Sequence, residues 1–175
     1  MTGAFESEIK MRSVASDLPV NVLFTCFDNA ALSLMAESIL RSLGARRFRA
    51  ASAALQPAAV ANPLVIEFLQ SRGMPIEGLW PKRLRDSPQR FDFVIRLCAR
   101  SAADATLCAG EGAVVADWNL EALRAQLDDA PHVQNAIRDA FWILMRRIKI
   151  FASLPHQAVP RRSFQYRVEG IAAWI

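Results

Sequence analysis

The stretch Val20-Asn21-Val22-Leu23-Phe24-Thr25-Cys26-Phe27-Asp28-Asn29-Ala30-Ala31-Leu32-Ser33 decides how the chain is read. Val20 to Cys26 is a short, nearly continuous apolar run, the pattern of a strand buried on both sides in a parallel sheet. Beyond it Leu32, Met35, Ala36, Ile39, Leu40 and Leu43 fall at helical spacing, and Gly44 stands where a C-terminal cap is expected. The order is strand, tight loop, helix. In open parallel sheets ligands bind at the carboxyl ends of strands, so Cys26 to Ser33 is the first place to look for a site. A cysteine there lies beside the free N–H groups of a helix start, whose partial positive charge favours a thiolate and bound anions. Asn29 suits such a loop because asparagine tolerates left-handed backbone. Taken without further support, the same residues also describe a buried strand-end cysteine followed by an ordinary turn.

The pattern continues outward. Phe48 to Ala54 reads as a second strand, and Asn62-Pro63 opens a helix carrying Leu64, Phe68 and Leu69 that stops at Gly73. Phe91 to Cys98 and Ala113 to Trp118 supply a third and a fourth strand. From His132 to Ser153 an apolar stripe of Val133, Ile137, Ala140, Phe141, Leu144, Ile148 and Phe151 marks a long helix. Strands alternating with helices imply an α/β fold in three layers, a four-stranded parallel sheet with helices on both faces. The expected organisation is an N-terminal arm at 1–18, the α/β domain at 19–154 and a C-terminal extension at 155–175. In that extension Phe164, Tyr166 and Val168 alternate and Trp174-Ile175 follow, which predicts an extended segment that folds back on the domain or crosses to a second copy as a homodimer contact.

Composition narrows the function classes. Hydrophobic residues make up 53% of the 175 and charged residues 22%, enough for a real core. No apolar run approaches the roughly 20 residues of a membrane span, and Glu6 and Glu8 interrupt the start where a signal peptide would be apolar. A cytoplasmic protein without membrane contact is expected. The net charge of +4 comes mostly from scattered arginines, read as solvated helix faces, and nucleic-acid binding is not expected. Three cysteines argue against a disulfide framework, and His132 and His156 are too few for a zinc site. No metal or cofactor is expected.

The loop Cys26 to Ser33 with Met35-Ala36-Glu37 resembles the phosphate loop of the low-molecular-weight protein tyrosine phosphatases and the related thioredoxin-coupled arsenate reductases. Ser52-Ala53, Pro57, Asn62-Pro63, Gly73, Ile76, Lys82, Phe91 to Ile95 and Trp118 follow the family's order downstream, so the resemblance covers residues 20 to about 153. It implies the family's fold and an oxyanion such as phosphate at the loop. Carried over position by position, Cys26 is the nucleophile, Asn29 the structural asparagine and Ser33 the supporting hydroxyl, with Phe27, Asp28, Asn29, Ala30, Ala31 and Leu32 forming the anion-binding loop.

Leu32 stands at the arginine position. Losing a guanidinium that stabilises transferring-phosphoryl charge costs on the order of 10³ to 10⁵ in rate. Asp28 adds a charge that repels a dianion by roughly 1 kcal/mol in wet surroundings, and Phe27 adds bulk. For the general acid the family places an Asp after the fourth strand. Here Asp117 and Glu121 are the nearest carboxyls, and either also reads as a solvated loop charge. In the arsenate reductase branch a cysteine ending the third strand and another beyond it form a redox relay with the nucleophile. Cys98 matches the first of these and Cys108 lies somewhat past the second, with plain core and loop thiols as the alternative. Three readings follow: an impaired phosphatase-like domain that binds an anion or a protein partner, an active phosphatase forming a phospho-enzyme at Cys26, or thiol redox chemistry through Cys26, Cys98 and Cys108.

Overall fold

The computed structural model describes residues 18–86, 90–98, 109–155 and 161–173. Its centre is a four-stranded sheet of β1 (Val20–Thr25), β2 (Phe48–Ala53), β3 (Phe91–Arg96) and β4 (Ala109–Asp117), in the order β2-β1-β3-β4. All neighbours run parallel. Helices α1 (Leu32–Gly44), α2 (Pro63–Ser71), α3 (Glu121–Leu127), α4 (Val133–Ser153) and α5 (Arg161–Gly170) flank it. The α/β fold expected from the alternation is the fold observed. Residues 1–17 of the N-terminal arm expected at 1–18, together with Cys108, Trp174 and Ile175, lie outside the described residues.

Register explains the packing. Val22, Ala50, Phe93 and Val114 align across the sheet, as do Phe24, Ser52, Ile95 and Ala116. The apolar members of these rows belong to the larger core together with α1, α2, α4 and α5, while Leu23, Ala53, Leu84, Phe91 and Val94 form a smaller core on the other face. The stripe on α4 is buried as its period required, and Phe151 on it packs edge-on against Phe93 at 5.2 Å between ring centroids. At α2 the Asn62 carboxamide oxygen caps the N–H groups of Leu64 and Val65, with Pro63 opening the helix.

Some boundaries differ from the sequence reading, β3 ending at Arg96 rather than Cys98 among them. β4 begins at Ala109 rather than Ala113, because its register against β3 shifts between Phe91 and Phe93. Gly112, at φ 71°, gives the bulge a backbone that a side chain would oppose. Gly44 is the last helical residue rather than a left-handed cap, since Ala45 continues at φ −49°. Its lack of a side chain serves close approach instead: a Cβ there would collide with the Phe48 ring.

The C-terminal extension corrects the expectation of an extended segment. Residues 161–170 are helical and a 3-10 turn follows at Ile171–Ala173. The apparent alternation misled because the groups that matter are Phe164, Val168 and Ile171, spaced for one helical face and all buried, while Tyr166 points to solvent. This helix folds back on its own domain. The Trp118 Nε1–H donates to the Val168 carbonyl at 3.0 Å, and the Gln165 amide donates to the Val115 carbonyl. The buried Arg147 guanidinium donates to the Trp118 carbonyl and, at 2.9 Å, to the Ala172 carbonyl. Burial pulls the Arg147 pKa below its usual value by desolvation.

Because Phe164 is fully enclosed beside Phe93 at 5.6 Å, Phe164→Ala should lower unfolding free energy in urea by about 3 to 5 kcal/mol. Tyr166→Ala, on the solvent side of the same helix, should stay within about 0.5 kcal/mol of the parent. Equal effects would contradict the docked helix.

Candidate active site

Cys26 follows β1 directly and is 3% exposed. The chain then turns through Phe27 to Ala31 into α1, held from outside by Ala58 N–H to the Asp28 carbonyl and Asn62 N–H to the Ala30 carbonyl, both 2.8 Å. Asn29 stands at φ 53°, the left-handed backbone that its residue type allowed. Its amide does more than permit the turn. The Nδ2 group donates to Ser33 Oγ and Ser52 Oγ, each at 2.8 Å, and Oδ1 accepts from Lys82 N–H at 2.7 Å. One fully buried side chain thereby joins the loop, α1, β2 and the segment before β3.

Behind that amide lies a buried charge. Glu37, fully enclosed on α1, accepts from Ser52 Oγ at 2.5 Å and from Lys82 Nζ at 3.0 Å, and pairs with Arg41. An enclosed carboxylate persists only with such partners. Sequence reading saw Ser52 and Lys82 as markers and left Glu37 without a role, because what joins them is spatial rather than sequential.

The structure joins Cys26 to Cys98. The two are disulfide-bonded, with Cα atoms 5.1 Å apart and 72 positions apart in sequence. Adjacent parallel strands bring them together: Cys26 follows β1, Cys98 lies just past β3, and Leu97 N–H reaches the Thr25 carbonyl at 2.8 Å. Cys98 is 1% exposed.

Leu32 is the first residue of α1 and lies in the apolar core with 1% exposure. No guanidinium enters the loop from that position. A cation arrives from elsewhere, and sequence reading missed it. Arg124 on α3 lies with its guanidinium carbon 5.0 Å from the Phe27 ring centroid, 3.6 Å from the Asp28 carboxylate and 2.9 Å from Asp128. It balances Asp28, whose other oxygen accepts from Ala30 N–H at 3.0 Å. Only the helical period of the short segment around Leu123 and Leu127 could have hinted at α3.

Asp117 ends β4 in register with Arg96, which in turn aligns with Thr25. Its carboxylate is bound by Arg96 through both oxygens, one at 2.6 Å from Nε, and it stands on the strand beyond β3. Glu121 is an exposed residue of the first turn of α3. Among the described residues no group of His, Cys, Asp and Glu is clustered as a metal site, and no helix is long and apolar enough to cross a membrane.

The sequence matches the family model of the low molecular weight phosphotyrosine protein phosphatases over residues 21–130. The chain belongs to that phosphatase family. Its solved relatives include YfkJ from Bacillus subtilis, 20% identical, with a TM-score of 0.58 over 81% of this chain and 98% of that one. An arsenate reductase in its phosphate-binding state is 23% identical, with a TM-score of 0.56 over 89% and 98%. The thioredoxin-dependent arsenate reductase of Corynebacterium glutamicum is 27% identical, with a TM-score of 0.53 over 79% and 69%. No curated protein matches the chain.

Asn29→Ala and Asn29→Gly separate the two duties of this residue. Both lose the amide bonds, but glycine keeps the left-handed backbone, so alanine should be less stable than glycine by about 1 to 2 kcal/mol in guanidinium unfolding. Equal losses would show that the backbone conformation carries no cost.

Proposed function

We propose that this phosphatase-family domain works by thiol–disulfide chemistry between Cys26 and Cys98, with phosphomonoester hydrolysis impaired. The observation that carries this reading is the pairing of the candidate nucleophile with a second enclosed cysteine at the end of the neighbouring strand. Leu32 supports it, since a thiolate can exchange with a disulfide without a guanidinium, whereas phosphoryl transfer leans on one. With a peroxide as acceptor, the Cys26 thiolate takes an oxygen and expels hydroxide or alkoxide. The Cys98 thiolate then attacks the Cys26 sulfur, the sulfenic hydroxide leaves, and the disulfide forms. An external dithiol returns both cysteines to thiols and is itself oxidised. A reducing cytoplasm, where such bonds are transient and catalytic, suits this cycle.

A second reading, arsenate reduction, is favoured by the position of Cys98 and by the Corynebacterium glutamicum likeness. Cys26 would bond to arsenic with loss of water. Cys98 would then attack the Cys26 sulfur, and the sulfur–arsenic electron pair would leave on arsenic as arsenite. If the thiol pair proves inert, the remaining role is binding of an oxyanion or a protein partner through the same loop.

In a Cys108→Ser background, peroxide should remove both remaining thiols and give an intramolecular disulfide by mass. Adding Cys98→Ser should leave Cys26 as a sulfenic acid trapped by dimedone. Arsenite released from arsenate with a dithiol regenerant would select the second reading. Hydrolysis of an aryl phosphate at the ordinary enzymatic rate of about 1 to 10³ s⁻¹ would overturn the proposal, as would failure of Cys26 and Cys98 to pair on oxidation.

Access to the pair makes a further expectation. Arg124 holds Phe27 and Asp28, the two residues that follow Cys26, so Arg124→Ala should speed reduction of the disulfide by a small dithiol, followed by stopped-flow thiol release. An unchanged rate would mean that the loop opens without breaking this contact.

A further inference from the structure

The other end of the sheet poses a different question. β2 is an edge strand, and among the described residues its pairing on the outer side is a single bridge from Ala54, past its end, to Arg83. An open edge offers unpaired N–H and C=O groups to any extended chain. Along β2 the side chains between Arg49 and Ala53 are small: Ala50, Ala51 and Ser52. Ala51 and Ala53, on the strand face that Arg49 shares, line a cleft of about 560 Å³ together with Leu23 and Phe91, and its wall carries Trp80, Lys82 and Arg83. Trp80 is 59% exposed.

The charge around this edge has one sign in excess. Arg46, Arg47, Arg49, Arg83 and Arg85 are all exposed, and none forms an ion pair with a described residue. Among the described residues Asp86 is the one carboxylate lining the cleft. Arginines on an edge strand guard it against another copy of itself, because pairing β2 with β2 would bring Arg49 of each chain into the same small area. The same charges favour an acidic strand. Nucleic acid would satisfy the arginines but cannot complete a backbone ladder, and the trough of small side chains beside unpaired peptide groups fits an extended peptide.

We propose that the β2 edge is a docking surface for an acidic, extended segment of a partner protein, which adds as a strand beside Phe48–Ala53 and places its carboxylates against Arg49 and Arg83. This surface stands apart from the Cys26–Cys98 chemistry and holds whether or not that chemistry does. The segment contributes ladder hydrogen bonds and small side chains over the alanines, with its apolar positions turned to Trp80.

The test uses the full chain and a fluorescent peptide of about ten residues, long enough to span the strand, alternating Glu with Val or Thr. Fluorescence anisotropy should rise with the wild-type protein and fall back as salt is added. A peptide of the same sequence N-methylated at alternate residues, which keeps its charge and cannot pair as a ladder, should bind at least tenfold more weakly. The double variant Arg49→Glu, Arg83→Glu should lose binding of the acidic peptide and gain binding of its lysine counterpart. No binding by the wild-type protein would overturn the proposal, and so would equal binding of the N-methylated peptide, which makes the contact charge alone. Tighter binding of single-stranded DNA lost in the same double variant would also overturn it in favour of a nucleic-acid surface. A dimer of the wild-type chain abolished by the double variant would overturn it in favour of self-pairing. If the double variant fails to fold by circular dichroism, the N-methylated peptide and the salt titration decide on the wild-type protein.

Discussion

Everything around the loop depends on the amide of Asn29. It holds the only left-handed turn in the described loop between β1 and α1, and it ties that turn to Ser33, Ser52 and the Lys82 backbone. Ser52 and Lys82 in turn hold the enclosed Glu37 carboxylate. Asn29, Ser33, Ser52 and Glu37 are fully buried, so each of them stands to lose a partner that water cannot replace. Its result is a loop fixed on three sides at the carboxyl end of a parallel strand, with Cys26 brought to the end of the neighbouring strand where Cys98 lies.

In the proposed reading that arrangement separates two properties: Asn29 and Ser33 support a strand-end thiolate, while Leu32 in the core and Asp28 in the loop weaken the hold on a dianion. Arg124 adds positive charge at the mouth, but it is shared between Asp28 and Asp128. A guanidinium already paired with two carboxylates offers an incoming anion less than a free one. On the proposed function, exchange between the two sulfurs is the chemistry that these features hinder least.

The parts legible in the sequence were those set by short-range rules. β1, the loop and α1 follow from one apolar run, one asparagine and a helical period; the cap at Asn62 follows from a side chain that can accept two N–H groups. Contacts between distant segments were not legible. Nothing local says that Arg124 stacks on Phe27, that Glu37 is enclosed by Lys82 and Arg41, or that Asp117 is taken by Arg96. The Phe164, Tyr166, Val168 pattern fits a strand at two-residue spacing, and only the further spacing to Ile171 and the carbonyl offered to Trp118 show it to be a helix.

The docked C-terminal helix has a consequence for the order in which the protein can be completed. Trp118, at the end of the last strand, is enclosed only when Val168 accepts its indole N–H, and Arg147 on α4 finds its second carbonyl only at Ala172. Residues 161–173 are synthesised after the four described strands and after the other helices that pack on them. During translation the sheet's β4 side therefore stays open, with an indole and a guanidinium short of partners, until the ribosome has released them. The nascent chain at that stage is a domain with one unsealed flank, and the last helix is what closes it.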